Sequence, residues 1–473
     1  MSTKQPVVGY LPDEKPPFLK LLLFALQQII VMFPATVLVA LLTGFHVSTT
    51  IFASGLATIG FILITGRKIP LFYGSSFSYI TAICSITGAQ AFAGPVADDK
   101  IAAAQFGIVL SGLVSIAAGL IIKQFGQEAI EKVLPPTITG SIAMVIGLSL
   151  AGTAIKDPTN LPNGVAEANQ ALALNLSWAI CIVTLLATIL FSVYLKGTWG
   201  QIPILLGLLT GYVLALILGG INQVNFCDFN KIEETKSLFA IPAIGFALPH
   251  FTLPKASWAA VAAIMPIAIA TIPESTAHLY QLDIYVNDLA QKKGSNKKYH
   301  IADKLGLNLI GDGLGDMISA MVGGPAGTNY GENLSTMAIT KNFSTPMLIA
   351  AAIITMVISC FTPLTAVVYS IPNAVIGGIS IYLFGVIASQ GVTIMISKKV
   401  DRFDSRNLAV IASVLIIGIG GSFAFSDGMI PMFGAKFPAI ATAAIFGILL
   451  NLLLHIGNKN PQGGEMDAQA ETV

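Results

Sequence analysis

The stretch that decides the fold is PAGTNYGENLSTMAITKN, Pro325–Asn342. It lies between two apolar runs. A chain that leaves a hydrophobic run through Pro, Gly and Asn normally meets water. This stretch is too long and too apolar at its end to be a plain loop, and it carries Glu332 in its middle. Irregular backbone at membrane depth is tolerated only where it is buried in protein or lines a water-filled cavity. A short extended piece leading into a half-helix leaves free N–H groups at mid-bilayer. Those groups and the positive end of the helix dipole can hold a carbonyl oxygen or an anion. The backbone near Gly331 is therefore expected to face a ligand.

The environment follows from composition. Only 10% of residues are charged and mean hydropathy is +0.78, where soluble domains carry roughly a quarter charged residues. The chain reads as a polytopic membrane protein with the lipid bilayer as its solvent. A net charge of +1 offers no basic surface for nucleic acid. Cys84, Cys181, Cys227 and Cys360 are scattered, with neither metal spacing nor a disulfide framework, and read as apolar filler. No basic start followed by an apolar core marks a cleaved signal peptide, so the first span is expected to serve as the insertion signal.

Twelve runs are long and apolar enough to span: near 18–42, 48–66, 102–122, 133–155, 172–195, 199–219, 256–280, 305–324, 346–370, 373–397, 408–425 and 437–455. Two short odd segments, 69–87 (IPLFYGSSFSYITAICSIT) and 325–340, bring the expected total to fourteen. Cation placement supports that count. With the N-terminus inside, Arg67/Lys68, Lys123/Lys132, Lys196, Lys292/Lys293/Lys297/Lys298, Lys341 and Lys398/Lys399/Arg402/Arg406 all fall on the cytoplasmic side, whereas only Lys100, Lys156, Lys231 and Lys436 fall outside. Both termini are then cytoplasmic.

The odd segments resemble each other: YGSSFS starts at Tyr73 and YGENLS at Tyr330. Two spans later, PPTITG places Pro135 five residues before Gly140, and PNAVIG places Pro372 five before Gly377. Seven spans separate each pair, an odd number, so the second copy is inverted. Paired Gly-interrupted segments in the halves of an inverted repeat point to the substrate site of a secondary transporter.

Ionisable residues inside spans are functional candidates. Glu274 and His278 share a helical face at i, i+4. Glu332 begins a half-helix. Two mid-span carboxylates, one at a break, have no ready packing explanation. His278 reads equally as a structural histidine. Asp312 and Asp316, also i, i+4, are expected to hydrogen-bond backbone freed by the broken segment. Gln27 and Gln28 read as polar glue between helices. Asp98, Asp99, Glu233 and Glu234 read as solvated loop residues. A carboxylate away from water pays for its charge, a cost that a bound proton removes, as a proton-coupled carrier requires. Carboxylates also accept from ring N–H groups while backbone N–H groups serve ring carbonyls. A planar cyclic imide, flanked by Phe77 or Tyr330, fits such a clamp.

PESTAHL together with YGENLSTMAITK resembles the nucleobase–ascorbate transporter family (nucleobase:cation symporters), most nearly its bacterial uracil permeases. The family signature reads Gln, Glu or Pro, then Asn, any residue, Gly, four of any kind, Thr, and Arg, Lys or Gly. Here Glu332, Asn333, Leu334, Thr340 and Lys341 match it, and Ser335 stands in place of Gly. The resemblance runs from about Pro17 to His455. It implies an all-α membrane fold of fourteen segments in a seven-plus-seven inverted repeat. Its core domain holds spans 1–4 and 8–11, and its gate domain spans 5–7 and 12–14. The corresponding boundaries are a tail at 1–16, a first repeat at 17–220 (core to about 122, gate about 133–219), an outer loop at 221–255, a second repeat at 256–455 (core to about 370, gate about 372–455) and a tail at 456–473. It further implies that Glu274 and Glu332 bind a nucleobase, that Phe77 and Gly331 offer N–H groups, and that His278 joins Glu332 and Glu274 in proton coupling. Tyr330 flanks the base; Gln28, Ser76, Asn333 and Asp312 support the site. Glu at position 332 is the pyrimidine-type choice. Gln28 stands where many members have His, and Phe384 where close uracil permeases have Tyr.

The expected activity is uracil import by proton symport rather than Na+ symport, across the bacterial inner membrane, with no cofactor and no metal; a homodimer is compatible with it. A purine (xanthine or urate) permease of the same fold is the alternative. A channel would need a polar stripe along several helices, and the polar residues cluster at one locus instead. An enzyme would need a metal-ligand set, a nucleophile triad or a phosphate loop, and none is written in the sequence.

Overall fold

The computed structural model describes residues 9–89, 94–126, 133–162, 165, 167–196, 199–227, 240–241, 245–295, 297–425, 428–432 and 434–456. The ends of both expected tails, and Lys132, Lys231, Glu233 and Glu234, lie outside the described residues.

Helices dominate because runs of Leu, Ile, Val and Ala in lipid satisfy their backbone only within the segment. Among the described residues nine helices are long and apolar enough to cross a membrane: α1 (Phe18–Thr43), α2 (Val47–Ile64), α4 (Asp98–Phe125), α5 (Pro136–Thr159), α6 (Gln170–Tyr194), α7 (Pro203–Asn222), α8 (Trp258–Lys292), α13 (Asn373–Ser397) and α14 (Ser405–Ala424). Shorter helices stand between them: α3 (Ile80–Thr87), α9 (Leu305–Met321), α10 (Gly331–Thr340), α11 (Thr345–Ile358), α12 (Thr362–Tyr369) and α15 (Ala439–His455).

Two of the expected runs differ from their outline. The run 346–370 divides into α11 and α12. Pro363 lies in the first turn of α12, where its missing N–H costs nothing, and Phe361 before it is extended. The break is edged by another segment: Ala247 N–H donates to Cys360 O at 2.8 Å and Thr362 N–H to Gly245 O at 2.9 Å. The run 437–455 opens as strand, since Ala435–Pro438 pairs with Met429–Met432 before α15 begins.

Small residues set the closest helix contacts. A Cβ at Gly112 would lie 2.4 Å from Gly313 O, and one at Gly119 2.5 Å from Gly306 O, so α4 and α9 touch backbone to backbone. Between α2 and α11, a Cβ at Gly55 would lie 2.6 Å from Ala352 O; between α5 and α13, one at Gly147 would lie 2.5 Å from Phe384 O. Lipid tails are as apolar as Leu, so helices associate through this close packing and not through hydrophobic burial. In α6 and α7 the most apolar windows are only 28% and 17% buried, against 67% for α2. The first two therefore present Leu186, Leu190, Leu216 and Ile217 outward, while α2 is interior.

The two odd segments meet. β1 (Tyr73–Ser75) and β2 (Gly327–Asn329) pair antiparallel, with Tyr73 opposite Asn329 and Ser75 opposite Gly327. Ser76 N–H to Ala326 O and Tyr330 N–H to Phe72 O, both 2.9 Å, extend the ladder. Each strand leads into a short helix: a 3₁₀ turn Phe77–Tyr79 and then α3 in one case, α10 in the other. Counted from the strands, Ser76 corresponds to Tyr330 and Phe77 to Gly331. The repeated Tyr-Gly of the sequence is thus three residues out of structural phase. Tyr73 opens its strand, whereas Tyr330 follows its own.

Candidate substrate-binding site

The strand Gly327–Asn329 leads Gly331 and Glu332 to Glu274 and His278 of α8. Pro273 inside α8 removes a ladder N–H and frees the Ile269 carbonyl. Glu274 follows it, and His278 lies one turn further on. The first turn of α10 rests on that turn: a Cβ at Gly331 would stand 2.7 Å from His278 Nε2, so only glycine lets the half-helix approach this closely. Glu332, next in α10, is close enough to Glu274 for the two carboxylates to interact electrostatically. The first N–H groups of α10 and of the 3₁₀ turn at Phe77 have no intrahelical acceptor. Phe77 is half-buried, and its ring meets Phe384 of α13 edge-on at 6.2 Å.

Exposure divides the residues of this locus into two groups. Glu332, Ser335 and Ile339 are exposed along one face of α10, whereas Asn333, Leu334, Thr336 and Met337 are buried on the other. Glu274, His278 and Gly331 are half-buried. Ser335, which departs from the family signature, thus lies on the open face, where the added hydroxymethyl group disturbs no packing. Tyr330 is only 3% exposed. Its hydroxyl pairs with Thr36 at 3.0 Å and with Ser75 O at 2.9 Å, which makes it a cross-brace between the broken segments and α1. Ser76 is buried and caps the 3₁₀ turn through Ser78 N–H. Asn333 donates to Gln28 Oε1 at 2.8 Å and to Gln28 O at 2.9 Å, fastening α10 to α1.

Beneath the strands lies a buried polar network. Asp316 Oδ1 accepts from Tyr73 OH and from Gly327 N–H, each at 2.7 Å, so it serves backbone of the broken segment as the sequence suggests. Asp312 does not; it accepts instead from Ser275 and from Asn329 Nδ2, the latter at 2.9 Å. Asn308 donates to Ser275 at 2.6 Å. The sequence assigns no role to Ser275, Asn308 or Asn329, and it marks Tyr73 only as the start of a repeated motif. One signal was present: Asn308, Asp312 and Asp316 recur every four residues on α9. Asp98 also departs from its expected role. It is not merely solvated, since His250 Nε2 lies 2.9 Å from its carboxylate. Those residues are 152 apart in sequence, and only the folded chain joins them.

The sequence model of the permease family matches residues 19–427. The chain belongs to this family, the nucleobase–ascorbate transporters. It is 38% identical over 433 residues to the uracil permease of Bacillus caldolyticus, covering 91% of each chain. It is 34% identical over 433 residues to that of Bacillus subtilis strain 168, covering 91% of this chain and 92% of the relative. It is 32% identical to that of Escherichia coli K12, covering 97% and 96%. Among solved structures it is similar in fold to the transmembrane domain of the cyanobacterial bicarbonate transporter BicA, with a TM-score of 0.56 at 14% identity over 91% of this chain and 96% of that one. It is likewise similar to the murine Slc26a9 anion transporter in the inward-facing state, with a TM-score of 0.63 at 14% identity over 94% and 69%. The protein is therefore a membrane-embedded permease that carries solute, built on a fold shared with anion transporters.

Proposed function

We propose that this transporter imports uracil by proton symport with alternating access. The observation that carries the proposal is the meeting of Glu274 and Glu332 at the first turn of α10, with the two helix starts at Phe77 and Gly331 set on one short antiparallel ladder. The uracil permeases of Bacillus and Escherichia coli supply the substrate class. An imide edge alternates N–H with C=O. Glu274 accepts from ring N–H, the backbone N–H groups serve ring carbonyls, and the Phe77 ring stacks. A protonated Glu332 can donate to a ring carbonyl, so binding and protonation strengthen each other. His278, against the Asn329 backbone, belongs to the same proton path. Gln28, Asn333, Tyr330, Ser76 and Asp312 hold these groups in place.

Several contacts support a seven-plus-seven inverted repeat divided into core and gate. The pairs α4–α9 and α2–α11 exchange under such a repeat, and both are glycine-mediated. Prolines lie inside α1 and α8, the first span of each half. Pro135 and Pro372 cap α5 and α13 in the same extended conformation. The Phe77–Phe384 contact then crosses from core to gate. The open face of α10, from Glu332 past Ser335 to Ile339, runs toward Lys341 on the cation-rich side and gives a path from the cytoplasm.

The test is uptake of labelled uracil into vesicles under an imposed pH gradient, with and without excess xanthine. Accumulation should follow the gradient, collapse with a protonophore and resist xanthine. Accumulation that is indifferent to pH but dependent on Na+ overturns the coupling, and full competition by xanthine overturns the substrate.

A further inference from the structure

We propose that His46, Asp98 and His250 form a binding site for one divalent transition-metal ion, Zn2+ in the first instance, on the face where α1 ends and α4 begins. One ligand atom from each residue lies within 4.8 Å of the others. His250 Nε2 stands 2.9 Å from Asp98 Oδ2, and His46 Nε2 stands 3.7 Å from Asp98 Oδ1. The two imidazoles are 4.7 Å apart between centroids. Tetrahedral Zn2+ with bonds of about 2.0–2.1 Å sets neighbouring ligand atoms about 3.3 Å apart, and the observed separations straddle that value. A hydrogen bond explains the contact of His250 with Asp98. His46 Nε2 turns to the other oxygen of the same carboxylate, so both imidazoles converge on Asp98.

The three residues are fixed before any ion arrives. The His46 carbonyl accepts from both Thr50 N–H and Thr50 Oγ1, at 2.9 and 2.8 Å. Val96 N–H donates to Gly44 O at 2.9 Å, tying the approach of α4 to the turn that bears His46. Gly44 makes that turn at φ 73, a conformation that glycine adopts without strain. Thr49 Oγ1 donates to His250 O at 2.7 Å. Two residues on, Thr252 exchanges hydrogen bonds with Gln105 of α4 at 2.8 Å. The backbones that carry the two histidines and lead into α4 are thus held in place by their own hydrogen bonds, which favours metal affinity.

The donor set selects the ion. Two imidazoles and one carboxylate suit Zn2+ and its neighbours, whereas Mg2+ and Ca2+ prefer all-oxygen sets. The Asp98 side chain is 60% exposed, so the fourth position opens to water. The site shares no residue with the substrate locus. A bound ion would staple the α1–α2 turn, the start of α4 and the segment leading into α8.

The experiment uses the full chain, purified in detergent, stripped with chelator and freed of any polyhistidine tag. Calorimetric titration with Zn2+ should give one ion per chain at micromolar affinity. Asp98→Asn and His250→Ala should each weaken it by at least about tenfold, while Mg2+ gives no heat. Co2+ should show the intense visible absorption of a four-coordinate site. Zn2+ should raise the thermal midpoint of the wild type and not that of His250→Ala, whose own midpoint without metal reports whether it has folded. Absence of Zn2+ binding up to millimolar concentration overturns the site. So does binding that is unchanged in the His46/Asp98/His250 triple variant.

Discussion

Removing Asp316 should loosen the paired strands that hold the substrate locus. In Asp316→Ala the Gly327 N–H loses its 2.7 Å acceptor inside the protein, and a buried donor left unpaired costs about 1–3 kcal/mol. Tyr73 loses a second 2.7 Å bond but still reaches Asp312 O at 3.1 Å, so that loss is nearer 0.5–1.5 kcal/mol, roughly one ordinary hydrogen bond. Together these predict destabilisation of about 2–4 kcal/mol, with loss of uptake. Asp316→Asn keeps an oxygen in the same place and should cost about 1 kcal/mol or less. Tyr73→Phe removes only the shared bond. The double variant with Asp316→Ala should therefore be less destabilised than the sum of the singles, by about 1 kcal/mol. Unfolding in mixed micelles titrated with SDS measures all four proteins. Equal stability of the Ala and Asn variants, or strict additivity of the double variant, would refute the bracing role of Asp316.

Glu274→Gln should abolish uracil binding, because the amide turns a donor toward ring N–H; near-normal calorimetric affinity would remove Glu274 from the site. Glu332→Gln should retain some binding yet lose accumulation driven by a proton gradient, and a pH dependence identical to wild type would move the coupling proton elsewhere. Beyond the end of α8, Lys297 and then the Tyr299 hydroxyl hold the Asp13 carboxyl below the usual carboxylate value. A lowered native value adds stability above the unfolded value of about 3.9 and loses it as pH falls through the native one. Protection of the amides of Tyr10 and Phe343, which bond Lys341 O and Tyr10 O at 2.8 Å, relative to free-peptide exchange should therefore persist from neutrality down to about pH 4 and fall only below it. Opening between neutrality and pH 5 would contradict this. Gly313→Val should push α9 from α4, since even a Cβ would lie 2.2 Å from Gly112 O; overpacking of about 1–3 kcal/mol or more is expected, readable as a lowered thermal midpoint.

Sequence by itself determined the solvent, most spans and the special segments. Hydrophobic length follows directly from bilayer thickness, and a carboxylate beside Gly and Asn at membrane depth is too costly to be incidental. Glu274 and Glu332 stand out as candidates for that reason, and the break at Tyr330–Gly331 was legible. The division of 346–370 into α11 and α12 was not legible, because its cause is partly a neighbour: Gly245 and Ala247 supply the bonds that make an interruption tolerable. The phase of the two broken segments was likewise hidden, since Tyr-Gly reads alike whether the tyrosine opens a strand or follows it, and only the register of Gly74 against Thr328 decides. Tertiary structure alone gathered Tyr73, Ser275, Asn308 and Asn329 beneath that register, and His46, Asp98 and His250 on one face. Apart from the four-residue spacing of Asn308, Asp312 and Asp316, these polar side chains carry no periodicity that names their partners. Their partners lie tens to hundreds of residues away, and what joins them is the close approach of helix backbones that glycine permits.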